Sequence, residues 1–156
     1  MKPEDLILPR DPSLTNEKVM QMLEDAASAP QPEAVERAVT SAHQVGVREE
    51  FVPPLLSLLR STDHFRHEDI VNALQDIKDP RAVEGLFDAA TVTHEYLAYD
   101  EFFGLARKCT WALADIGTPE AKARLVQLAA SENPLIAGYA KKRLDRWHDE
   151  QNSKRG

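Results

Sequence analysis

Asn72-Ala73-Leu74-Gln75-Asp76-Ile77-Lys78-Asp79-Pro80 and Trp111-Ala112-Leu113-Ala114-Asp115-Ile116-Gly117-Thr118-Pro119 are two copies of one pattern. Their Ala-Leu, Asp-Ile and Pro positions coincide at an offset of 39 residues, and the match runs on through Ala82/Ala121, Leu86/Leu125 and Ala90/Ala129. An offset of 31 pairs Leu105 with Ile136, Ala106 with Ala137, Cys109 with Ala140 and Leu113 with Leu144. A more divergent copy runs from Ala42 to Gly46 and on through Phe51 to Leu59. Self-similarity at such a period marks a stack of supersecondary units, each unable to bury its apolar face alone.

The unit is legible in physical terms. Between Arg66 and Ile77, the residues Ile70, Ala73, Leu74 and Ile77 recur at i, i+3, i+4 and i+7, the spacing of an amphipathic helix. Asp79 and Thr118 offer side-chain oxygens to the free N–H groups of a following helix, and Pro80 and Pro119 fit its first position, where no donor is lost. Val83, Leu86, Phe87 and Ala90 line the second helix of one copy, and Leu125, Val126, Leu128 and Ala129 that of the next. Extended along the chain, this predicts eight helices at about 15–28, 33–45, 49–60, 65–77, 80–92, 99–116, 119–131 and 134–150. The fold expected is all-α: an α-solenoid of about three helical hairpins with a capping helix at each end. Residues 1–12 are expected to form an extended arm, 13–150 a single domain and 151–156 a frayed tail.

Composition agrees with that reading and narrows the function. The chain has 156 residues, 42% hydrophobic and 29% charged, which is globular, and its single cysteine excludes an internal disulfide framework. No apolar run approaches a membrane span, and the acidic start is unlike a signal peptide, so a cytoplasmic location is expected. The net charge of -7 is uneven: residues 1–100 carry 19 acidic and 9 basic side chains, residues 101–156 carry 7 and 10. Most of the molecule would repel a phosphate backbone, which argues against nucleic acid. The compact basic cluster Lys141, Lys142, Arg143 and Arg146, beside Trp147, reads as a solvated helix face.

The segments Ala73 to Ala82 and Ala112 to Ala121, of the form Ala-Leu-x-x-Ile-x-Asp/Thr-Pro-x-Ala, resemble HEAT repeats of the short bacterial kind, including those called phycobilin-lyase-like. The resemblance covers about residues 34–147 and is strongest over 66–131. It implies a stack of hairpins and leaves function open, since such repeats serve as partner-binding scaffolds, chromophore lyases, a metal-dependent hydroxylase and DNA repair enzymes.

Candidate chemistry is sparse. Arg66-His67-Glu68 is similar to the His-Glu dyad of deoxyhypusine hydroxylase, a di-iron HEAT-repeat enzyme. The equivalents in the following repeats are Ala106-Arg107 and Ala137-Gly138, and His94-Glu95 falls between helices, so one dyad leaves too few ligands for a metal. His67 is therefore expected on the helix surface, with His64 three residues away. Cys109 falls on the apolar stripe of helix six and reads as a packing residue. No phosphate loop, nucleophile elbow or His-Glu-x-x-His pair occurs. No catalytic residue, metal or cofactor is expected.

The departure from the repeat is more informative. An offset of 39 in place of 31 inserts about eight residues within Thr91 to Glu101. Insertions in repeat proteins map to loops on one face, often the binding face. The segment holds Tyr96 and Tyr99, either interface anchors or seals of the groove between repeats. Tyr99, just ahead of helix six, is expected to seal, Tyr96 to be exposed, and Phe102 and Phe103 to join the core. Second helices of stacked hairpins usually line a concave side, which assigns Arg81, Glu84, Asp88, Lys122, Arg124 and Gln127 to a face of alternating charge. The function expected is a non-enzymatic, monomeric binding module for a protein partner, engaging neither nucleic acid nor membrane. One concrete version is an immunity protein that occludes a toxin; the competing class is a metal-dependent hydroxylase or chromophore lyase.

Overall fold

The computed structural model describes residues 12–149. The helices among the described residues include, in order, α1 (Asn16–Ser28), α2 (Pro32–Val45), α3 (Val52–Arg60), α4 (His67–Ile77), α5 (Val83–Thr91), α6 (Gly104–Ile116), α7 (Pro119–Ala129) and α8 (Pro134–Asp145). Short 3-10 turns at Glu49–Phe51 and Pro80–Ala82 lead into α3 and α5. There is no strand among the described residues. The tail expected at 151–156, and all but the last residue of the arm expected at 1–12, lie outside them.

The helices form two layers. α2, α4, α6 and α8 follow one another in one layer, and α1, α3, α5 and α7 in the other. Across the layers α1 packs on α2, α3 on α4, α5 on α6 and α7 on α8. The apolar stripes face this junction: Leu23, Leu55, Ile70, Leu74, Leu86, Leu113 and Leu125 are all fully buried. Cys109 lies among them, and burial pushes its thiol far above the ordinary thiol range, so it packs as a small apolar residue.

The caps expected at Asp79 and Thr118 form, accepting hydrogen bonds from the N–H groups of Arg81 at 2.8 Å and Ala121 at 3.1 Å. Thr15 and Asn133 cap α1 and α8 in the same way, accepting from Lys18 at 3.2 Å and Leu135 at 3.0 Å. At the matching helix ends the two best copies differ. Gly117 closes α6 in the left-handed region at φ 71°, where a missing Cβ removes the steric penalty; Lys78 closes α4 at φ 59° and bears that penalty.

Two expectations fail here. Helix six begins at Gly104, not at 99, because the Asp100 carboxylate folds forward and accepts from the N–H groups of Phe102 at 3.0 Å and Gly104 at 2.8 Å. It thereby caps α6 from outside. A Cβ on Gly104 would stand 2.7 Å from that carboxylate oxygen, so a side chain there would displace the cap. The basic cluster is not wholly solvated either. Arg143 is buried with its guanidinium 3.5 Å from the centre of the Trp111 ring, while Lys141, Lys142 and Arg146 remain exposed.

Candidate functional site

The insertion between α5 and α6 is a strap laid across the preceding repeat. It leaves α5 at Val92, makes a 3-10 turn at Glu95–Leu97 and enters α6 through Phe103, a bulky residue held at φ 54°. Its first half packs inwards on the start of α4, and its second half stands out. The Tyr139 hydroxyl of α8 donates to the Phe102 carbonyl and ties that second half to the last helix.

Three of the five histidines of the chain meet under the first half. His67 is sandwiched, its ring centre 4.2 Å from that of His64 and 3.7 Å from that of His94, with interplanar angles of 19° and 23°. His64 and His67 are fully buried and His94 is 6% exposed. The partners of the first two fix one tautomer of each ring. His64 Nε2–H donates to the Leu58 carbonyl at 2.6 Å, and its Nδ1 accepts from the Arg66 N–H at 3.0 Å. His67 Nε2–H donates to the Ser61 carbonyl at 2.6 Å, and its Nδ1 accepts from the Tyr96 hydroxyl at 2.8 Å. That hydroxyl in turn lies 3.3 Å from the His67 N–H. Burial depresses all three imidazoles, His67 to about 4, and the proximity of the rings adds to the effect for His67 and His94.

The expected surface position of His67 is therefore wrong. The repeat alignment sets His67 level with the apolar Ala106 and Ala137, and both are buried, so the position faces inwards in each copy. The stack does not make a ligand set. The rings lie face on face instead of pointing lone pairs at one point, and no group of three His, Cys, Asp or Glu among the described residues is arranged to hold an ion.

The insertion's aromatics also exchange their expected places. Tyr96 is half-buried, bonded to His67 and set edge-on against Phe65 at 5.3 Å, because its hydroxyl satisfies groups that the α4 start leaves open. Tyr99 is 81% exposed and Phe102 70%, since the Asp100 turn carries both away from the core. Phe103, partly buried, alone of the two phenylalanines packs against the core.

A cleft of about 830 Å³ opens beside the strap, walled by Phe87, Leu97, Phe103, Leu105, Leu128 and Ile136. His94 borders it and also a shallower recess with Phe65 and Tyr96. The six residues assigned to the charged face separate into groups. Arg124 of α7 pairs with Glu84 of α5 and with Gln127, and its guanidinium lies 4.5 Å over the Phe87 ring. Arg81 turns away to Asp79 and to the Glu49 carbonyl at 3.0 Å. Asp88 and Lys122 are exposed, Lys122 lying 5.7 Å over the Trp147 ring.

Layered helix pairs with repeated caps define an all-α repeat protein. Residues 105–131, the span of α6 and α7, match the family model of the PBS lyase HEAT-like repeat, so this helix pair is similar to one such repeat. No curated protein and no solved structure matches it. No helix among the described residues is long and apolar enough to cross a membrane.

Proposed function

We propose that this protein is a non-catalytic binding module whose strap presents an apolar anchor to a protein partner. The observation that carries the reading is the pair Tyr99 and Phe102, two large aromatic rings held out at 81% and 70% exposure by a capped turn. Aromatic side chains on a fixed turn bury much area on association at little cost in rotamer entropy. The neighbouring layer of α5 and α7, with Asp88 and Lys122 exposed, supplies charge of both signs for orientation.

The test is cross-linking capture from cells, comparing the wild type with Tyr99→Ala/Phe102→Ala. Both rings are outside the core, so the double variant should melt with the wild type and lose the captured partner. Recovery of the same partner at the same yield would refute the assignment.

A further inference from the structure

We infer that the cleft beside the strap is a binding site for an uncharged small molecule with an apolar body and one hydrogen-bonding group, which His94 receives. The inference stands apart from the partner surface above.

Around the cleft every polar side chain but one is hydrogen-bonded or meets water. Thr91 donates to the Asp88 carbonyl at 2.8 Å. Both Asp100 oxygens accept backbone N–H groups. Gln127 accepts from Arg124, Ser131 from the Asn133 N–H at 3.1 Å, and Asn133 from the start of α8. Thr93 and Glu101 are exposed and meet water. His94 is the exception: it is 6% exposed, and its ring nitrogens have no hydrogen-bond partner among the described residues, while its ring face stacks on His67. Buried polar groups are nearly always satisfied, and an orphan at a cavity wall marks a place for something that completes it.

The remaining lining sets the chemistry of the occupant. The walls are apolar, so its body is apolar. The mouth carries Asp100 and Glu101 and no lysine or arginine, which disfavours an anion. His94 stacks on a neutral ring whose own nitrogens are engaged, and burial keeps it neutral, so it offers one N–H and one lone pair in place of a charge. A carbonyl, hydroxyl or amide group suits it. The volume of about 830 Å³ accommodates a drug-sized body.

The test uses the full chain and an uncharged, environment-sensitive naphthalene ketone dye. Titration should give saturable, blue-shifted emission at one dye per chain, and an anionic naphthalene sulfonate should bind more weakly. Ala98→Trp places a large ring at the mouth from an exposed position and should abolish binding without changing the melt. His94→Phe keeps a ring on His67 and removes the polar atoms, and it should weaken the ketone about tenfold, the scale of one buried hydrogen bond. Should His94→Phe fail to fold, His94→Gln serves: it retains a donor and should bind the ketone better than His94→Leu. Absence of saturable binding, or binding that survives Ala98→Trp, overturns the site. Ketone affinity indifferent to every residue placed at position 94 overturns the role of His94.

Discussion

Acidifying the solution from pH 6.5 towards pH 4 should unfasten the histidine stack and with it the fold. The His67 pKa is lowered from 6.5 to about 4 by burial, so the folded chain stays neutral where the unfolded chain takes up a proton. Stability is then complete above pH 6.5 and falls as pH drops through the window down to about 4. A single proton bound by the unfolded state alone gives a slope of about 1.4 kcal/mol per pH unit, hence a loss of about 2 kcal/mol by about pH 5 from this residue. His64 and His94 are lowered too, and their contributions carry the same sign. The geometry supplies the reason. A proton on His64 Nδ1 would face the Arg66 N–H, and one on His67 Nδ1 would displace the Tyr96 hydroxyl hydrogen. Urea unfolding followed by circular dichroism, at constant ionic strength and a series of pH values from about 7.5 to about 5, measures the slope. His67→Gln should be less stable at neutral pH and shallower in slope by about one proton. Equal wild-type stability at both ends of the series, or an unchanged slope in His67→Gln, would refute the reasoning.

Leu74→Ala and Leu113→Ala should each destabilise by about 2–5 kcal/mol in the same assay, since both leucines are fully buried; melts that overlay the wild type would discredit the shared stripe. Tyr96→Phe should cost about 1–3 kcal/mol by stranding His67 Nδ1 and its backbone N–H, and a neutral result would show that the hydroxyl does not fasten the strap. Lys78→Gly should stabilise by about 0.5–1 kcal/mol, because relief of the left-handed penalty outweighs the added freedom of the unfolded chain. A lower melting temperature in that variant would place the side chain of Lys78 in a role its backbone conceals.

The repeat core was readable because its signals are local and redundant. Asp79 and Thr118 cap corresponding helix starts, and the stripes of α4 and α6 repeat at an offset of 39, so Leu74 and Leu113, or Asp79 and Thr118, support one another. The strap was not, because it breaks the repeat and its residues answer to partners far away in the chain. Tyr96 is fixed by His67, 29 positions earlier, and the Phe102 carbonyl by Tyr139, 37 positions later. Neither contact leaves a periodicity. The turn at Asp100 reverses the places of Tyr99 and Tyr96 through one carboxylate, a detail that hydrophobicity alone does not encode. Only the buried alanines at the His67 position in the other repeats pointed inwards.

A stack of repeats ordinarily holds together through nearest-neighbour interfaces, and its units are free to melt one after another from the ends. The strap alters that behaviour in the middle of this chain. By leaving α5, resting its imidazole and phenol on the start of α4 and returning to be held by α8, it links three successive helix pairs with one stretch of polypeptide. Loss of the last pair therefore loosens the clasp on the second. Unravelling is steered towards the opposite end, where the strap does not reach α1 and α2, and amide exchange should open there first while the central helices and α8 give way as a single cooperative block.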